Sequence, residues 1–193
     1  TWDSQPKTLS DVTVQRQLFA TGYADYVRYL DRFTNESAAV RNVYVAWGGN
    51  LGSDGDTTIA ATSSGNLIFE AADVWAVTIQ NPLFDPMGKA DDPPVGYLWR
   101  GQGDTSYQNS GDFGSNPFDT LWTGNANDNL SYVYHVVLQP GETAYLVYYL
   151  YRGLAEGIAG PGNSNGGYSC AANCVVPPIG SETALAKTKL AQL

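Results

Sequence analysis

An all-β fold, an antiparallel sandwich of two sheets, is the class this chain predicts, on three observations. The first is the segment Leu138-Gln139-Pro140-Gly141-Glu142-Thr143, which separates two long runs rich in β-branched and aromatic residues, Leu130 to Leu138 and Thr143 to Tyr151. Pro140 fixes φ at about −65° and Gly141 tolerates positive φ, so the pair suits the centre of a type II turn. That turn matches strand twist poorly in a two-residue hairpin, so the segment reads either as a hairpin or as a corner between sheets. The second observation is composition: 13 Tyr, 5 Trp and 21 Gly beside a single Met and a single His describe strands joined by many turns. The third is the rhythm of short apolar-polar runs broken by Gly, Ser and Asn up to about residue 80.

Taken in order, Val12 to Phe19 alternates apolar and polar residues as a half-buried strand does, and Tyr26 to Phe33 follows suit. Thr34-Asn35-Glu36-Ser37-Ala38-Ala39 interrupts, and Val40 to Trp47 resumes, so this pair reads as a hairpin or as two strands of a Greek key. Asp56 to Thr62, Leu67 to Phe69 and Val74 to Ile79 supply three further candidates. Residues 80–128 then break the rhythm. Apart from a short strand over Val95 to Arg100, they read as a long irregular insertion with aromatic residues spread through it, and loops of that length carry function or form a subdomain. Residues 153–180 are low in complexity. Ser181 to Leu190 is the only good helical segment, with Ser181 as N-cap and acidic residues ahead of basic ones. The domain therefore runs over 1–180 with the insertion 80–128 inside it, followed by a helical tail, 181–193.

The chain has 193 residues, enough for one large domain with a real core. Charged residues make up 15%, well below the usual quarter, so Asn, Ser, Thr, Gln and Gly must cover much of the surface, a composition common in secreted proteins. Net charge is −9 and no basic stripe exists, which excludes nucleic acid as a partner. No apolar run is long enough to insert in a membrane as a helix. The start at Thr1-Trp2-Asp3 reads as a processed product or an excised module. Cys170 and Cys174, spaced C-x-x-x-C in a Gly/Asn/Ser loop, read as a local disulfide in an oxidising compartment, closing a loop too small to stabilise the fold greatly.

Candidate sites are few. Asn50, Asp54 and Asp56, in Asn50-Leu51-Gly52-Ser53-Asp54-Gly55-Asp56-Thr57, offer oxygens to a hard cation such as calcium, although the bidentate Glu of an EF-hand loop is absent; a plain Gly/Asp turn is the alternative. Asp91-Asp92 and Asp128 offer the same chemistry more weakly. Tyr97, Trp99, Tyr107, Phe118 and Trp122 are candidates for a glycan-stacking face, the alternative being that they anchor the insertion to the core. Asn35-Glu36-Ser37 and Asn129-Leu130-Ser131 match the glycosylation sequon, with Asn35 the better acceptor because it lies in a turn. His135 reads as a strand histidine with a hydrogen-bond partner, and no nucleophile elbow, phosphate loop, dinucleotide fingerprint or zinc motif occurs. Glu36, Glu70, Glu142 and Glu156 qualify as glycosidase carboxylates by residue type alone. With no catalytic constellation in view, the expectation is that the chain is not an enzyme.

Three stretches, Arg28 to Asn35, Gly49 to Thr57 and Leu138 to Thr143, resemble the turn chemistry of immunoglobulin-like β-sandwich modules of large secreted or cell-surface bacterial proteins. They cover less than a fifth of the chain. The resemblance implies an extracellular, non-catalytic module used for spacing, adhesion or assembly, and the aromatic insertion and Cys loop depart from it. The Tyr-rich run Tyr145 to Tyr151 places aromatics on both alternating faces, and an exposed aromatic sheet face seeks a partner. The expected function is accordingly structural or adhesive, through self-assembly or contact with neighbouring modules, as in a filament or surface layer. A carbohydrate-binding module, supported by calcium or not, is the second expectation, and a glycan-active enzyme the third.

Overall fold

The computed structural model describes residues 1–20, 26–51, 57–70, 72–80, 93–101, 103–123, 127–153 and 181–192. Asp54, Asp56, Asp91, Asp92, Glu156, Cys170 and Cys174, candidates from the sequence, lie outside the described residues. Among the described residues there are eleven strands and one helix: β1 Trp2–Asp3, β2 Lys7–Leu9, β3 Val12–Ala20, β4 Tyr26–Asn35, β5 Arg41–Asn50, β6 Thr57–Thr62, β7 Trp75–Gln80, β8 Val95–Leu98, β9 Tyr107–Asp112, β10 Asn129–Leu138, β11 Thr143–Arg152 and α1 Ser181–Leu190. They build two antiparallel sheets, as an all-β sandwich requires. The larger runs β1-β3-β4-β11-β8-β7-β6, with β2 also on β3, and the smaller runs β5-β10-β9.

The insertion is less irregular than its composition predicts. It contributes β8 to the interior of the larger sheet and β9 to the smaller, where β9 pairs with β10 from Leu130↔Asp112 to Tyr134↔Tyr107. The sequence Tyr-Gln-Asn-Ser-Gly-Asp of β9 has little strand propensity of its own, so its partner, not its composition, makes it a strand. Conversely, Leu67 to Phe69 is no strand, since Leu67 takes a left-handed φ of 60° in a bend.

Between the sheets lies a core unusually rich in rings: Trp47 from β5, Tyr132 and Tyr134 from β10, Tyr148 from β11, Tyr97 from β8, with Trp99, Tyr107 and Trp122. Stacking orders them, Trp99 on Tyr132 at 4.5 Å and Trp47 on Tyr148 at 4.4 Å. Burial pushes the hydroxyls of Tyr97, Tyr132, Tyr134 and Tyr148 above the ordinary tyrosine range, so they stay neutral in the core. On the outer side, α1 lays Ala186 and Leu190 against Ala61, Trp75, Val77 and Tyr151. Gly96 permits this approach, because a Cβ there would stand 2.7 Å from Leu190 Cδ1.

The Pro-Gly segment is a corner. It carries the chain from β10 in the smaller sheet to β11 in the larger, with Glu142 N–H donating to the Gln139 carbonyl at 3.0 Å and Gly141 at φ 72°, as a type II turn demands. The Glu142 carboxylate accepts the Gln139 N–H, so its work is turn closure. The link from β4 to β5 is a second corner lying against the first, and Asn35 joins them. Its backbone bonds Glu142 and Gly141, while its Nδ2 donates to the carbonyls of Ala39, Leu138 and Gln139 at 2.7, 3.2 and 3.1 Å.

This corrects the expectation of glycosylation. Asn35 is 0% exposed and its amide nitrogen is committed to three acceptors, so it has no room for a glycan. Asn129, half-buried, donates its amide to Asp128. Replacing Asn35 by Ala strands the buried Leu138 carbonyl and takes a donor from the carbonyls of Ala39 and Gln139, so both corners lose a tie. The expected cost is about 3 kcal/mol, read as a lower urea midpoint with an unchanged slope. A loss within error would show that the corners hold without it.

Candidate functional site

At the end of the sandwich opposite the Asn35 corners, the inner face of the larger sheet is not fully covered. A cleft of about 460 Å³ opens there, lined by Arg16 of β3, Tyr29 of β4, Leu150 and Arg152 of β11, Val95 and Tyr97 of β8, Pro93, and the β5 end from Trp47 through Leu51. The register explains the opening. Trp47 lies opposite Tyr132 and faces inward, and Gly49, two residues on, shares that face opposite Leu130. A Cβ on Gly49 would meet nothing within 4 Å, so the row of inward side chains on β5 stops at Trp47 and leaves space.

One network holds the cleft's wall and its cation together. Arg16 and Asp31 are cross-strand partners on β3 and β4. Arg16 donates from Nε to Asp31 Oδ1 at 2.7 Å and from Nη2 to Oδ2 at 2.6 Å, a forked pair that keeps the guanidinium firmly protonated against the pull of burial. The Tyr148 hydroxyl donates to the same Asp31 Oδ2, and the Tyr148 ring stacks on Trp47. Arg16 also places its guanidinium carbon 5.6 Å from the centre of the Tyr29 ring. The carboxylate is buried while the Arg16 side chain remains 40% exposed, so the pair turns its positive end toward the cleft.

The aromatic residues singled out from the sequence do not form one open face. Tyr97, Trp99, Tyr107 and Trp122 are buried in the core, where Phe69 bridges Trp99 and Trp122, and only Phe118, at 46%, is exposed. Large rings in a Gly-rich segment bury because they are the main apolar area it has to offer. Tyr97 alone also borders the cleft. Of the cation loop, Asn50 is described. It too borders the cleft, and its amide donates to Asp128 Oδ2 at 2.6 Å. Asp128 is buried and serves neighbouring amides, and among the described residues no group of three or more His, Cys, Asp or Glu is placed to hold a metal. His135 stacks on Tyr44 at 4.4 Å and bonds Asn42 Oδ1 through Nε2, the strand role expected of it. Glu36 and Glu142 belong to the corners, away from the cleft. Sequence reading missed Arg16, Tyr29, Trp47 and Arg152. The available signal was a charge in an apolar register: Arg16 follows Val12 and Val14, and Asp31 sits between Tyr29 and Phe33.

Because the two charges differ in exposure, their removal should differ in cost. Arg16→Ala leaves a buried carboxylate with only Tyr148 and is expected to cost on the order of 3 kcal/mol. Asp31→Asn keeps an acceptor and leaves a guanidinium that water can reach, for about half that loss. Urea unfolding of both variants checks the order, and equal costs would refute this account of the pair.

Among the described residues no helix is long and apolar enough to cross a membrane. No family model matches the chain, and no curated protein matches it. Solved structures do. A polysaccharide lyase is matched at 15% identity and a TM-score of 0.43 over 83% of this chain and 22% of its own. A protein assigned as a kojibiose phosphorylase, from the human microbiome, is matched at 12% and 0.46 over 94% and 19%. A protein assigned as an aldose 1-epimerase, from Klebsiella pneumoniae, is matched at 10% and 0.48 over 97% and 53%. The chain thus spans between about a fifth and about half of these proteins. No residue role is transferred at such likeness. The matches nevertheless correct one expectation. All three are enzymes by description, so the absence of a recognised catalytic motif no longer stands as a reason to call the chain no enzyme. The chain is an all-β sandwich whose structural neighbours are sugar-active proteins.

Proposed function

We propose that this protein binds carbohydrate in the cleft between its two sheets. The observation that carries the reading is the lining itself. Rings of Tyr29, Trp47 and Tyr97 and the apolar Leu51, Val95 and Leu150 share one concavity with the donors Arg16 and Arg152. Sugars present apolar C–H faces and hydroxyls together, so a site for them needs apolar wall and hydrogen-bonding groups side by side. The cleft's volume of about 460 Å³ lies within the usual range for small-molecule sites.

Gly49 provides the test, because its Cβ position is open and its backbone is free of left-handed strain. Gly49→Phe should fill the cleft without disturbing the sheets. On an array of neutral and acidic oligosaccharides the wild type is expected to bind, and the variant to lose at least tenfold in affinity with an unchanged circular dichroism spectrum and melting temperature. Undiminished binding by a folded Gly49→Phe variant would remove the cleft from consideration.

A second reading, self-association, is favoured by the outer face of β11. There α1 covers Tyr151, but Tyr145 at 58% and Val147 at 37% remain exposed on the same side of the strand. Light scattering over a concentration series is expected to show association that Tyr145→Ser with Val147→Lys abolishes. A monomer at every concentration would dispose of it.

A further inference from the structure

We propose that the cleft takes an extended acidic oligosaccharide whose carboxylates are met by Arg16 toward one end and Arg152 toward the other; the proposal rests on the carbohydrate reading and names its substrate class. The first support is the pair of cations. The described residues lining the cleft include two arginines, Arg16 and Arg152, in a chain with 10 basic residues in all.

Both arginines have donors to give. Arg16 spends Nε and Nη2 on Asp31, which locks its rotamer, and the described residues supply no acceptor for Nη1. A guanidinium held in this way loses little freedom on meeting a ligand carboxylate. Arg152, the last residue of β11, is exposed and forms no ion pair among the described residues. Its cross-strand partner is Val95, itself part of the lining.

Spacing argues for an oligomer. Arg16 lies level with Asp31, and Asp31 lies level with Leu146 on β11. Arg152 is six residues further along that strand, roughly 20 Å at about 3.3 Å per residue. Tyr29, Leu150 and Tyr97 occupy the interval, and Val95 closes it level with Arg152. That backbone separation is several sugar rings long, and a chain with acidic units can lay its apolar faces on the rings between the two arginines. The overall charge of −9 repels a polyanion at long range. Attraction is then confined to contacts within about a Debye length, some 8 Å in physiological salt, which favours sparse carboxylates over dense sulfates.

Calorimetric titration of the whole chain tests this with four probes: a uronate hexasaccharide, the same hexasaccharide with its carboxyl groups reduced, a sulfated hexasaccharide and a monomeric uronic acid. The uronate hexamer is expected to bind about tenfold or more tighter than each of the others. Arg152→Ala is expected to lose about that factor and Arg152→Lys to recover part of it, because lysine keeps the charge but not the fork. Equal binding of the reduced hexamer, unaffected by Arg152→Ala but abolished by Gly49→Phe, would overturn the acidic ligand and leave the cleft reading standing. Preference for the sulfated hexamer would overturn the carboxylate assignment, and tight binding of the monomer would overturn the two-ended site. Uronate binding that survives Gly49→Phe would place the acidic site elsewhere and overturn this one. Silence from every probe and from the oligosaccharide array would overturn both.

Discussion

A three-stranded sheet cannot cover the inner face of an eight-stranded one, and most of this molecule follows from that mismatch. Seven strands in series at about 4.8 Å reach across roughly 29 Å, against roughly 10 Å for three. The apolar face left over must be covered from elsewhere or left open. Toward β7 and β8, loop aromatics do the covering: Phe69 wedges between Trp99 and Trp122, and both indoles are buried. On the outer side of the same region, α1 buries Tyr151 and Trp75. At the far end of β3, β4 and β11 nothing described covers the sheet, and the inward positions there carry Arg16, Tyr29 and Arg152 in place of a wholly aliphatic row.

What was legible from residue order tracks how much each element owes to itself. β3, β4, β10, β11 and α1 carry their own alternation or capping, and their observed bounds fall within two residues of those expected. β9 carries none; its Gln, Asn, Ser and Gly extend only because β10 offers a ladder. Leu67 to Phe69 has strand residues but serves as a plug, with Phe69 turned into the core by a backbone that strand geometry cannot supply. The corner at Pro140 was ambiguous for a physical reason: a type II turn closes equally well within a sheet or between two, and only Asn35, some hundred residues earlier, decides it.

The cleft was the least legible feature. Rings attract attention in a sequence, but a ring in this chain is most often core, and Trp99 and Tyr107 show it. The residues that mark the cleft are ones where a local pattern breaks: a cation among Val12, Val14 and Leu18, a carboxylate between Tyr29 and Phe33, a glycine after Trp47. Each is unremarkable alone. Strand pairing makes the first two neighbours and leaves the third facing empty space, and pairing is what one strand cannot disclose about another.

The position of β11 has a further consequence, for assembly of the chain in time. It is the last of the described strands in sequence, yet it lies between β4 and β8 and joins the two halves of the larger sheet. During synthesis, β3 with β4 and β6 with β7 and β8 would emerge as separate pieces, each with a bare edge that matures only when residues 143–152 arrive. The long sequence separation of that closing step makes it slow, and unpaired edges awaiting a partner invite one from another chain. Nascent copies held close together would therefore be at greatest risk of cross-pairing just before β11 clears the ribosome.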